Sequence, residues 1–163
     1  MSGRTHVNVG KETEQLVARY LRGRGLDGVE RSVRTGFRTA DRSVDDAGDL
    51  TGWPGVCLQV KSLRPATRAE TQTRQWLAEL ESQRKQSGAS VGLLVVRRWG
   101  TLDVGRWWCF LVARDLFGMA DGHSATALRQ LAPVRLELSD VVSMMQTWGW
   151  APAQSDPLEE NAQ

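Results

Sequence analysis

Cysteine is too scarce in this chain to staple it or to bind a soft metal. Cys57 and Cys109 lie in separate apolar runs, with neither metal-ligand spacing nor the density of a disulfide framework, so a reducing, cytoplasmic setting is expected. Histidine is equally scarce. His6 and His123 stand alone with no ligand spacing or partner, and neither receives a functional assignment. Long apolar runs are absent too: nothing approaches the roughly 18 residues of a membrane span, and the N-terminus lacks the apolar core of a signal peptide, which predicts a soluble, internal protein without a membrane partner. There is no internal repeat or low-complexity tract. Lysine occurs only at Lys11, Lys61 and Lys85, the other basic residues being arginine.

What is present points to one packed unit. A chain of 163 residues, 40% hydrophobic, can build a single core with little left over for a second. The segment 151–163 takes three of the 19 acidic residues and none of the 21 basic ones, so the rest of the chain stands at +5. That excess suits a polyanionic partner without requiring one. The expected organisation is a flexible N-terminus over 1–9, a folded domain over 10–150 and a disordered acidic tail over 151–163.

Periodicity predicts alternating elements. Leu16, Val17, Tyr20 and Leu21 recur at helical spacing between Gly10 and Gly23. A strand is expected over 29–35, then a polar loop, then a hairpin joining a short strand at Asp49 to a longer one over 56–63 through the Trp53-Pro54-Gly55 turn. Next come a helix over 68–85 with Trp76, Leu77 and Leu80 on its apolar side, a buried strand over 91–96 and a neighbouring strand over 107–112. A short helix near 124–131, a strand over 134–138 and a helix over 139–148 complete an α/β domain, a central mixed sheet flanked by helices. The tryptophans at 99, 107, 108, 148 and 150 could stack on exposed bases, but as aromatics in apolar segments most are expected in the core.

Alternation along the 56–63 strand turns Val56, Leu58 and Val60 one way and Cys57, Gln59 and Lys61 the other. Asp49 on the preceding strand then faces Gln59 and Lys61, bringing a carboxylate, an amide oxygen and an ammonium group to one end of a sheet. Such a set suits metal-assisted phosphodiester hydrolysis: hard oxygens hold a divalent cation, and a cation beside the attacking water stabilises the charge that develops. Asp49 is the main candidate ligand, with the Gln59 side-chain oxygen and the Val60 carbonyl completing the shell and Lys61 serving the water. The competing reading is that Gln59 and Lys61 merely line the solvent face of a strand. Glu14 strengthens the first reading, because it lies beside the apolar stripe of the first helix whereas Glu12 lies on the solvent side.

In order and spacing these residues resemble the archaeal-type Holliday junction resolvases of the PD-(D/E)XK nuclease superfamily and their actinobacteriophage relatives, from Gly10 to about Leu63. The opening Gly-x-x-x-Glu helix of those enzymes looks like Gly10 to Glu14, their Arg-x-x-x-Ser-Gly strand end like Arg31 to Gly36 with Thr35 for the serine, their Pro-Asp-Leu like Gly48-Asp49-Leu50, and their Glu-Val-Lys-Ser like Gln59-Val60-Lys61-Ser62. The resemblance implies a restriction-endonuclease-like fold, a Mg²⁺- or Mn²⁺-dependent endonuclease acting on branched DNA, and a homodimer. It implies catalytic roles for Glu14, Thr35, Asp49, Gln59 and Lys61, with Glu14, Asp49, Gln59 and the Val60 carbonyl at the metal. Two departures stand out: Gln59 replaces a glutamate and loses a charge, and Gly48 replaces a proline.

Arg31, Arg34, Arg38 and Arg42 precede Asp49 and could grip phosphates flanking the cut. Asp41, Asp45 and Asp46 read as solvated loop acids. Two rival readings remain: a restriction- or repair-type nuclease on linear, flap or end DNA, and a non-catalytic DNA-binding protein that kept the fold after glutamine replaced the glutamate.

Overall fold

The computed structural model describes residues 3–32, 48–62, 69–112, 115–116 and 133–150, with the side chains of 3–8 and 69–71 left aside. Helix α1 spans Gly3–Arg22 and leads through a turn to β1, Glu30–Arg31. Then follow β2, Leu50–Thr51, and β3, Val56–Lys61; helix α2, Ala69–Gln86; β4, Val91–Val96; β5, Trp108–Val112; β6, Pro133–Glu137; and helix α3, Leu138–Thr147. The strands form one six-stranded mixed sheet in sequence order. Only β3 and β4 run parallel, because a parallel pair needs a crossover and α2 supplies it, while every other neighbour is antiparallel.

Side-chain alternation sorts the core onto the two faces of this sheet. Leu58 and Val60 of β3, Leu93 and Val95 of β4, and Cys109 and Leu111 of β5 join Val17 and Leu21 of α1 and Val141, Val142 and Met145 of α3 in the larger cluster. The opposite face holds a smaller cluster, in which Leu80 of α2 meets Cys57, Leu94 and Val96. All six residues of β4 are buried, as expected for a central strand sandwiched between helices.

The observed elements match the expected sequence of types, with instructive shifts. Helix α1 begins at Gly3 rather than Gly10, since no proline interrupts that stretch and Gly10 faces open space that costs the helix nothing in packing. The expected strand over 29–35 is described only as Glu30–Arg31, and the expected helix near 124–131 lies outside the described residues. The tryptophans depart most. Of the five at 99, 107, 108, 148 and 150, only Trp107 is buried; the other four are half-buried, Trp99 just past the end of β4, Trp108 at the start of β5, and Trp148 and Trp150 at the C-terminal end of α3, where the layers that would cover them end. No described helix is long and apolar enough to cross a membrane.

Candidate functional site

The candidate residues meet at one end of the sheet, where β3 outruns β2. The two strands pair at Leu50 and Leu58, and Gly48 then turns the chain with φ of 100°. An added Cβ at Gly48 would lie 2.3 Å from the Leu58 carbonyl oxygen, so no side chain fits there. Proline is excluded as well, its φ being locked near −65°, so glycine at this place in the motif is a backbone requirement of this fold. The turn aims Asp49 at β3: its N–H donates to the Leu58 carbonyl at 2.8 Å, and its Oδ2 accepts from the Val60 N–H at 2.8 Å. The carboxylate thus takes the hydrogen bond that the next residue of β2 would have made.

Leu58 and Val60 both direct their backbone groups toward β2, since alternate residues of a strand share a side. The Val60 carbonyl therefore lies on the same margin as the Asp49 carboxylate, beyond the last β2 pair. On the other margin, the Lys61 carbonyl accepts from Arg97 N–H at 2.9 Å, which prolongs the β3–β4 ladder by one residue. Lys61 is half-buried at this strand end.

Gln59 is only 2% exposed and lies on the α2 side of the sheet. Its Nε2 donates to Gln83 Oε1 of α2 at 2.6 Å, and its Oε1 is buried with no hydrogen-bond partner. A buried amide oxygen without a donor costs on the order of 1–3 kcal/mol, and a bound cation would remove that cost. Gln83 escaped sequence reasoning. Its signal was its place two turns after Trp76, on the same helix face as Leu80.

Glu14 stands half-buried on the opposite face, where its Oε2 is 3.1 Å from Nε of Arg31. The contact is an ion pair without hydrogen-bond alignment, and both side chains remain about a quarter exposed at 22% and 27%, so it adds little stability. Arg31 is paired opposite Leu50, next to Asp49, so it places Glu14 at the same sheet end while occupying it. Glu12 is exposed. Beside Glu14, Thr13 is fully buried, donates to Val9 O at 2.7 Å and accepts from Arg97 Nη1 at 3.4 Å.

Glu14, Arg31, Asp49, the Val60 carbonyl and Lys61 thus lie around the end of β3, with Lys61 and Gln59 on the α2 side of the strand and Glu14 on the other. Thr35, Arg34, Arg38 and Arg42 lie outside the described residues, as do Asp41, Asp45 and Asp46. The available donors are all hard oxygens, the type that Mg²⁺ and Mn²⁺ prefer. Among the described residues no three of His, Cys, Asp and Glu cluster as a metal set, so any cation here would lean on the Val60 carbonyl and the neutral Gln59 oxygen. Comparison of the chain with protein-family models, curated proteins and solved structures returned no match.

Proposed function

We propose that this protein is a divalent-metal-dependent endonuclease that hydrolyses DNA phosphodiesters, built on the restriction-endonuclease-like plan. One observation carries the reading: the Asp49 carboxylate accepts from the Val60 amide, so that this acid, the Val60 carbonyl and Lys61 share the end of β3, the strand that also carries the buried, unsatisfied Gln59 oxygen. A helix that brings Glu14 to the same sheet end, in the order the resemblance implies, adds support.

Asp49, the Val60 carbonyl and the Gln59 oxygen would hold Mg²⁺ or Mn²⁺, with Glu14 joining on release from Arg31. The cation would polarise the scissile phosphate and acidify a water. Lys61 orients the attacking water and offsets the negative charge that builds on the phosphate. Arg31, together with Arg34, Arg38 and Arg42, grips flanking phosphates. For a four-way junction, which is two-fold symmetric, a homodimer would present two such sites to opposed strands.

A second reading has its own support. Glu14 is engaged by Arg31, and the uncharged Gln59 amide is engaged by Gln83 where a nuclease of this kind would carry a carboxylate, as suits a DNA-binding protein that has lost cleavage. Purified protein incubated with labelled linear, forked and four-way DNA, with Mg²⁺, Mn²⁺ or EDTA, separates the two. The expected result is metal-dependent paired nicks on the junction, lost by 100-fold or so in Asp49→Asn and Lys61→Ala. Asparagine can still accept from the Val60 N–H, so Asp49→Asn should melt like the wild type. Junction binding with no metal-dependent cut would assign the second reading, and cleavage by Asp49→Asn at the wild-type rate would remove the site.

A further inference from the structure

Two rows of side chains cross the α2 side of the sheet from the candidate site to its far margin. Strand register sets Lys61 opposite Val96, Val96 opposite Trp108, and Trp108 opposite Glu137. The next row runs Gln59, Leu94, Phe110, Arg135. Helix α2 packs on the β3 and β4 part of both rows through Trp76, Leu77 and Leu80, and Trp108 and Phe110 of β5 pack against the margin of that cluster. There, Trp108 and Phe110 are half-buried neighbours two residues apart on one strand, and Arg135 is exposed beside them.

The charge on this half-face is one-sided. The Arg98 and Arg135 guanidiniums lie 4.4 and 4.5 Å from the Trp108 ring centre. Glu137 lies 3.2 Å from Arg98 and 3.9 Å from Arg106, so these two arginines share one carboxylate, and Arg135 adds a third positive charge beside them. The guanidiniums stacked on Trp108, with the Phe110 ring about 7 Å along the strand, match what unpaired bases and their phosphates need: flat surfaces to stack on, guanidinium planes included, and cations alongside. A duplex, with its bases stacked inside, has nothing to offer those rings. Solubility alone would be served by scattered charge and gives no reason to set aromatics and arginines together.

We infer that the β5–β6 half of this face, formed by Trp108, Phe110, Arg98, Arg106 and Arg135, binds single-stranded DNA. The inference deepens the nuclease reading and rests on it: Lys61 is two strands from Trp108, on the order of 10 Å at ordinary strand spacing, so an unpaired strand on the platform runs past the candidate site. The preferred substrates then contain single-stranded segments, such as the opened centre of a junction or the arm of a fork.

The test is fluorescence anisotropy of labelled oligo(dT) and of a matching duplex with the full-length protein in EDTA at low salt, where cleavage plays no part. Arg135→Glu and Trp108→Leu should each weaken oligo(dT) binding roughly 10-fold. Arg19→Glu, an exposed charge change on α1 away from this face, should leave it unchanged. Arg135 is exposed, so Arg135→Glu should keep the wild-type melting temperature even if Trp108→Leu does not fold. Failure of the wild type to bind oligo(dT), or equal binding by Arg135→Glu, overturns the platform. So does a light-scattering mass that falls from dimer to monomer in Arg135→Glu, since the face would then be a subunit interface. Wild-type cleavage in Mg²⁺ with an unaffected Arg135→Glu would sink the platform alone, whereas Arg135-dependent binding without cleavage would support it and sink the nuclease reading alone.

Discussion

The two faces of the sheet are built to different rules. One is closed: α1 and α3 cover it from β3 to β6, and from Leu58 across Leu93 to Leu111 it is apolar and buried. Among the described residues, α2 covers the other mainly over β3 and β4, and that face places a buried amide, Gln59, where its counterpart has leucine and valine. The larger buried cluster lies on the first face, while the buried polar Gln59 and the arginine–Trp108 contacts lie on the second.

The largest expected effect tests that division. Leu111→Ala, on the closed face, should cost roughly 2–5 kcal/mol in urea unfolding, because its neighbours cannot collapse into the space left. Arg135→Ala, on the open face of the neighbouring strand, should stay within about 0.5 kcal/mol. Equal losses would mean that the open face is structural, and the contrast would be gone.

A smaller effect is expected from Gln59→Glu. In EDTA the new carboxylate meets Gln83 in a buried site, and stability should fall by roughly 1–3 kcal/mol. Millimolar Mg²⁺ should then raise the melting temperature of Gln59→Glu more than that of the wild type, a readout independent of activity. No differential rescue by Mg²⁺ or Mn²⁺ would show that position 59 does not face a cation.

The smallest effect concerns pH. Burial alone pushes the Cys109 thiol up to about 12 from an ordinary value of 9.0. The folded chain therefore holds a proton that the unfolded chain has released between those values, so Cys109 stabilises the fold below pH 9 and loses that contribution as pH rises toward 12. Cys109→Ala should flatten the fall in stability above pH 9, and native protein at pH 8 should resist thiol alkylation at this residue. Rapid native labelling of Cys109 would contradict the closed face.

Much of this was legible along the chain. Apolar alternation in Val56–Lys61 and the unbroken run Val91–Val96 dictate strands, and helical spacing of Val17 and Leu21 dictates the first helix, because both periods follow from backbone geometry alone. Proximity of Asp49 to the Val60 region followed from the hairpin turn. The partners did not. Nothing local says that Gln59 will lie under Gln83, that Glu14 will meet Arg31, or that Trp108 will be left half-covered while Trp107 is buried. Sequence patterning by itself determined which residues are apolar at which period, hence the element types, the identity of the α/β class and the chemistry available. Which faces close, which polar groups stay unsatisfied and which aromatics reach solvent were decided only by how the helices pack on the sheet and by where β2 ends, since burial is a property of the packed layers and not of any one segment.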